Sequence, residues 1–130
     1  MTSQRETIIA HITDILADVE TVLREREHWY DQSNWPCLYI DEGEAEVIED
    51  FTFDSWKSTL TILVLGRVKG EWTDLNTLIE DTRKMIDSTT NTYQPYTRFV
   101  ETKVVADPSS NIKEFEMNIQ VDYYTTRGSA

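Results

Sequence analysis

Residues 114–123 read Glu-Phe-Glu-Met-Asn-Ile-Gln-Val-Asp-Tyr. Phe115, Met117, Ile119, Val121 and Tyr123 alternate with Glu114, Glu116, Asn118, Gln120 and Asp122 without a slip. Successive side chains of a strand point to opposite faces, so this stretch predicts a strand with one apolar and one polar face. A wholly polar outer face suits an antiparallel sheet with one wet side.

The neighbouring segments extend the pattern. Phe99 to Ala106 reads as the preceding strand, closed by Asp107-Pro108-Ser109-Ser110-Asn111, a turn by composition. Earlier, Trp56, Ser58, Leu60, Ile62 and Val64 alternate with Lys57, Thr59 and Thr61. Leu63 and Leu65 interrupt the polar side, which predicts cover on both faces at that end. Val68-Lys69-Gly70 ends the strand in a turn. Pro36 biases Trp35 toward extended backbone and opens a short strand to Ile40. Gly43 and Glu44 mark a turn, and Ala45 to Ile48 offers a further strand.

Two helices complete the reading. Ile8, Ile9, Ile12, Ile15, Leu16, Val19, Val22 and Leu23 recur at steps of three and four, an apolar stripe that predicts one helix running to Leu23. Ser3 and Glu6 fit a reciprocal capping box at its start. The stripe fades into Arg24-Glu25-Arg26-Glu27, and a polar and aromatic linker, His28 to Asn34, follows. Thr73 is the expected N-cap of the second helix, with Asp74 in its first turn and Leu75, Leu78, Ile79, Met85 and Ile86 on its apolar face. Asp87 to Thr92 finish it. The order is α-β-β-β-α-β-β. It predicts an α+β domain, with two main helices packed on one face of a mostly antiparallel (mixed) sheet of four to five strands. Residues 1–130 form a single domain in this reading, with 125–130 as a flexible C-terminal tail ending in Gly128-Ser129-Ala130.

Charge is distributed very unevenly. The formal net charge is −12, and residues 1–54 hold fourteen of the 24 acids but three of the twelve bases. Asp41, Glu42, Glu44, Glu46, Glu49, Asp50 and Asp54 fall in one run, DEGEAEVIEDFTFD, with no Lys or Arg. Such a field repels DNA and anionic membranes and attracts basic partners. No basic patch marks a nucleic-acid reader. The longest apolar run, Ile62 to Leu65, is far short of the roughly 20 residues that span a bilayer. The start, MTSQRETII, carries no apolar signal core. The single cysteine, Cys37, points to a reducing setting. Together these features predict an acidic, soluble, intracellular domain.

Catalytic patterns are missing. The four glycines are scattered and form no phosphate-binding loop, and no HExxH motif or Cys/His cluster occurs. Asp41, Glu42, Glu44 and Glu46 lack the D-x-D-x-D-G spacing of a calcium loop, so a solvated hairpin and loop is the better reading of the acidic run. Cys37 reads as a small core residue, His11 as a partly buried or interface histidine, and His28 as a linker residue. Trp29, Trp35, Trp56 and Trp72 read mainly as core or hinge residues, with one or two able to anchor an interface. No cofactor is expected, and nothing in the sequence argues for an enzyme.

The segment order brings a resemblance into view. An N-terminal helix is followed by Trp35-Pro36-Cys37-Leu38-Tyr39-Ile40, an acidic stretch, Asp54-Ser55-Trp56, the strand Leu60-Thr61-Ile62-Leu63-Val64, a helix with Leu75 and Leu78, and a final strand ending in Tyr123-Tyr124. Over roughly residues 5–124 this resembles the tail terminator proteins of long-tailed bacteriophages, the lambda protein U-like family. Residues 87–98, rich in Thr and Tyr, and the extension from Thr125 to Ala130 depart from that family's pattern.

The resemblance implies structural work without catalysis. Such proteins form a ring, expected here to be a hexamer, on the head-proximal end of the tail tube. The ring stops polymerisation of the tail tube protein and presents the docking surface for a head–tail connector protein. DNA passes through without specific binding, and an acidic lumen would keep phosphates from sticking. The implied location is the virion tail, with host cytoplasm during assembly. Asp41, Glu42, Glu44, Glu46, Glu49, Asp50 and Asp54 are then candidates for the lumen or an inter-subunit interface. Two other readings remain open at this stage: a head–tail connector or neck protein of the same virion, and an acidic monomeric binding module that mimics DNA. Partner capture would separate the first from the terminator, and a monomer with steeply salt-dependent binding would mark the second.

Overall fold

The computed structural model describes residues 3–24, 35–41, 46–106 and 111–126. Its elements are α1 (Gln4–Leu16), β1 (Val22–Leu23), β2 (Cys37–Asp41), β3 (Glu46–Thr52), β4 (Ser55–Lys69), α2 (Trp72–Ile86), β5 (Thr97–Ala106) and β6 (Ile112–Thr126), with a 3-10 turn at Gln94–Tyr96 before β5. This is the expected α+β order with one strand added. The sheet has six strands where four to five were expected, and the extra one is the two-residue β1.

The sheet is built on β4 and β6, which pair antiparallel from Ser55 opposite Thr126 to Lys69 opposite Ile112. That register sets Leu60 against Val121, Ile62 against Ile119, Val64 against Met117 and Gly66 against Phe115 on one face. All are buried, and they meet Ile8, Ile9, Ile12 and Leu16 of α1 and Leu75, Leu78 and Ile86 of α2 in one core. Gly66 is needed for close approach: a Cβ there would stand 2.1 Å from Cε1 of Phe115, where the ring lies. The final strand extends to Thr126, so Thr125 and Thr126 belong to the sheet and not to a tail; residues 127–130 lie outside the described residues.

The first helix ends earlier than its apolar stripe predicts. It stops at Leu16, and Val22 and Leu23 pair in parallel with Leu38 and Tyr39. Its last turn contains no basic residue, and Asp14, Asp18 and Glu20 place negative charge at the negative end of the helix dipole. The Leu38 amide then takes the Thr21 carbonyl at 2.8 Å. Val19 and Val22 still pack against the core, so the periodicity marked buried positions correctly but not their backbone conformation. At the helix start the Ser3 hydroxyl accepts from the Glu6 amide at 3.1 Å, half of the expected capping box. The Glu6 carboxylate turns to Arg24 instead, at 2.8 and 3.1 Å, and the hydrogen bonds from that guanidinium hold its pKa below the usual carboxylate range.

The second helix is capped by Glu71 rather than Thr73. The Glu71 amide donates to Oδ2 of Asp74 at 2.9 Å, which satisfies the chain where it turns into the helix. Lys113 reaches across from β6, donates to the Gly70 carbonyl at 2.7 Å and lies over the Trp72 ring. Beyond the helix, buried Asn91 donates to the Ile86 carbonyl at 2.7 Å and accepts from the Tyr93 amide at 3.0 Å. His11 receives the Thr92 amide at 3.2 Å and sits edge-on to Tyr93, which ties α1 to the same connector.

The face away from the helices is polar along β6, as expected, but closed near the β2 end. Leu63 is buried there, and so is Cys37, which lies opposite Arg67. Burial pushes the Cys37 thiol up to about 11, so it is an inert packing residue. It packs on the face opposite the helix-covered core. The Arg67 guanidinium stacks over Trp35 at 4.9 Å and bonds Glu114 through Nε at 3.0 Å. No helix among the described residues is long and apolar enough to cross a membrane.

Candidate assembly surface

Within the acidic run, Glu46–Thr52 forms a rim strand. Both β2 and β3 pair antiparallel with β4, one after the other along the same edge, with Asp41 opposite Leu63 and Glu46 opposite Leu60. The expected turn at Gly43 and Glu44 lies outside the described residues, as do the candidates Glu42 and Glu44. The strand after it continues along β4 instead of returning along β2. The reversal comes at Phe53 and Asp54, which makes β3 and β4 a hairpin arm.

Alternation then assigns the acids to opposite faces. Glu46, Ile48 and Asp50 stand on the helix side, whereas Val47 and Glu49 stand on the other. Glu46 is held at the base of the arm: it accepts from Arg5 at 3.1 Å and from the Tyr123 hydroxyl. Burial, then the Glu46 carboxylate, raises the Tyr123 pKa above its usual value. Glu49 is exposed, with Lys57 at 3.9 Å, and Asp50 sits opposite Trp56. Asp54 is exposed at the tip and Asp41 is half-buried at the end of β2. The five described candidates are therefore not one cluster. Glu46 is structural, Glu49, Asp50 and Asp54 decorate the arm, and Asp41 belongs to the sheet's interior edge.

The arm also exposes apolar surface. Val47, Ile48 and Phe51 are more than half exposed, and Phe53 at the tip is 92% exposed. Phe51 rests on Tyr124, ring centroids 4.9 Å apart.

A second rim was not singled out from sequence. Among the described residues the strand β5 pairs only with β6, and Phe99, Val100, Val104 and Val105 are all exposed, Val105 by 55%. Two adjacent apolar pairs, Phe99-Val100 and Val104-Val105, cannot face one core from a regular strand, and that was the available signal. A register shift between Phe99 and Glu101 marks a bulge. Arg98 and Lys103 stand on the face away from the helices, opposite Gln120 and Glu116. Arg98 bonds Asp122, which also accepts from Thr59 at 2.9 Å and has Lys57 at 3.8 Å. Burial works to raise the Asp122 pKa, but the bonds from Arg98 and Thr59 outweigh it and hold the carboxyl below its usual value.

The described residues contain no group of three His, Cys, Asp or Glu placed to hold a metal ion. Open grooves of about 400 and 410 Å³ lie beside the C-terminal end of α1 and α2, lined by Val19, Asp81 and their neighbours, away from both rims. Compared with known protein families and with curated proteins, the chain matches none.

Proposed function

We propose that this chain is a structural ring subunit that caps a phage tail tube, a tail terminator acting without catalysis. The observation that carries the reading is the pair of unlike rims on one sheet: an acidic arm with exposed apolar groups at one edge, and at the other a strand with four exposed apolar residues, two bases and one acid. A subunit that joins its copies head to tail needs two different complementary patches, and closure of the ring is what ends growth. Exposed apolar strands are otherwise an aggregation hazard that a monomer would blunt. The acidic excess suits a channel through which DNA must pass, since phosphate binding depends on Lys and Arg contacts. In this role the chain contacts itself, the tail tube protein and the head–tail connector, and resides at the head-proximal end of the tail.

The direct test is growth of tubes from purified tail tube protein with and without the chain, followed by electron microscopy. Added chain is expected to cap one end and shorten the tubes in proportion to its concentration. Tubes of unchanged length with bare ends would refute the reading.

A further inference from the structure

We infer that the free edge of β5 in one copy pairs antiparallel with the free edge of β3 in a second copy, joining their sheets across the subunit boundary. The inference deepens the ring reading but rests on its own observations, and it commits to a second copy of this chain as the occupant of each edge.

Strand direction comes first. Both β3 and β6 run antiparallel to β4, and β5 runs antiparallel to β6. Consequently β3 and β5 point in opposite directions within one subunit. Two copies set side by side in the same orientation therefore bring β5 against β3 as an antiparallel pair, which extends the ladder without inverting a subunit. Among the described residues no strand pairs with the outer edge of either.

The side chains match face by face. On the side away from the helices β5 carries Arg98, Glu101, Lys103 and Val105, and β3 carries Val47 and Glu49. On the helix side β5 carries Thr97, Phe99, Thr102 and Val104, and β3 carries Glu46, Ile48 and Asp50. A continued sheet keeps those faces aligned: β5, with two bases and one acid, meets β3, with three acids and no base, and both strands bring exposed apolar groups to the seam. Pairing β3 with another β3 would instead oppose Glu49 and Asp50 to their own kind. That arrangement is disfavoured.

The stagger is consistent with closure. Only one row crosses the sheet from β3 to β5, namely Glu46–Leu60–Val121–Thr97. From that row the two strands run toward opposite ends, so full pairing steps each copy along the strand axis by about 20 Å at ~3.3 Å per residue. The four strands from β3 to β5 span about 19 Å at ~4.8 Å per strand. The ratio corresponds to a strand tilt of about 45°, at the upper end of the 35–45° typical of closed barrels.

The test uses two variants of the full chain, one per edge. Val100→Asp with Val104→Asp blocks β5, and Val47→Lys with Ile48→Lys blocks β3; all four residues are exposed, and circular dichroism and urea melts check that each variant folds. Sedimentation at rising concentration should find oligomers for the unmodified chain and monomers for each variant alone. An equimolar mixture should form a one-to-one heterodimer that goes no further, because only one good β5 edge and one good β3 edge remain. If the β3-blocked variant still dimerises, β5 pairs with itself and the proposal fails. It also fails if both variants keep the parent's oligomeric state, or if the unmodified chain is monomeric at millimolar concentration. A heterodimer together with no effect on tube growth would keep the pairing and remove the terminator reading.

Discussion

The strands β4 and β6 at the centre of the sheet and the strands β3 and β5 at its rims differ more in what surrounds them than in composition. Both kinds carry Val, Ile and Phe, yet Ile62, Ile119 and Phe115 are sealed beneath two helices while Ile48, Val100 and Phe51 are exposed. Burial of one face is what a strand contributes to folding. A rim strand that keeps apolar groups on both faces contributes to something outside the subunit. The centre is thus the part of this protein that makes it fold, and the rims are the part that suits it to meet copies or partners.

The largest expected effect lies at the centre. Phe115→Ala removes a fully buried ring from the core and should cost about 3–5 kcal/mol in urea unfolding. A cost below about 1 kcal/mol would show that the β4–β6 pair is not the stabilising unit. Gly66→Ala tests the same contact from the other side, since its new methyl meets the Phe115 ring; about 1–3 kcal/mol is expected from overpacking. Combined with Phe115→Leu, the glycine change should cost less than the two separate costs added together, because the smaller side chain makes room.

Asp122 lies between centre and rim, and it sharpens the comparison through pH. Its folded pKa is depressed, so its contribution to stability is present above the ordinary carboxylate value and lost as pH falls through the folded one. The parent should therefore lose stability below about pH 4, and Asp122→Asn should flatten that part of the profile while lowering stability at neutral pH. An unchanged slope in acid melts would mean that the Arg98 bond is not maintained in solution.

Smallest should be the effects on the rim itself. Val105→Thr and Phe53→Ser are expected to change monomer stability by no more than about 0.5 kcal/mol. A cost of several kcal/mol in dilute solution would break the division between centre and rim altogether.

Much of this division was legible in the sequence, for identifiable reasons. The alternation at 114–123 and 56–64 assigned every buried face of the central pair, because a two-residue period admits only one choice of face once one side is apolar. The Leu63 and Leu65 break in that pattern anticipated the cover on both faces near β2, where Leu63 and Cys37 are buried. The stripe from Ile8 to Leu23 named core positions but overran the helix, since a turn and a short strand can bury Val19 and Val22 as well as a helix does. Thr73 was a sound cap by residue type. Glu71 took the place because Asp74 could reach back to its amide. The acidic run was legible as charge but not as geometry: its members alternate between faces, and Glu46 is occupied by Arg5 and Tyr123, distant in sequence.

The sequence by itself determined the cores of both helices and the central strands, which face of those strands is apolar, and that the negative charge gathers in the first half. These follow from local periodicity and composition, which act over a few residues. Only the tertiary structure decided that β3 follows β2 along one edge of β4, that β5 forms the opposite rim of the sheet beside β6, and that β3 and β5 run in opposite directions. Those facts depend on pairings between residues far apart in the chain. No local period encodes which strand is left at the rim, because a strand's pattern reports how much of it is buried only after its neighbours are known.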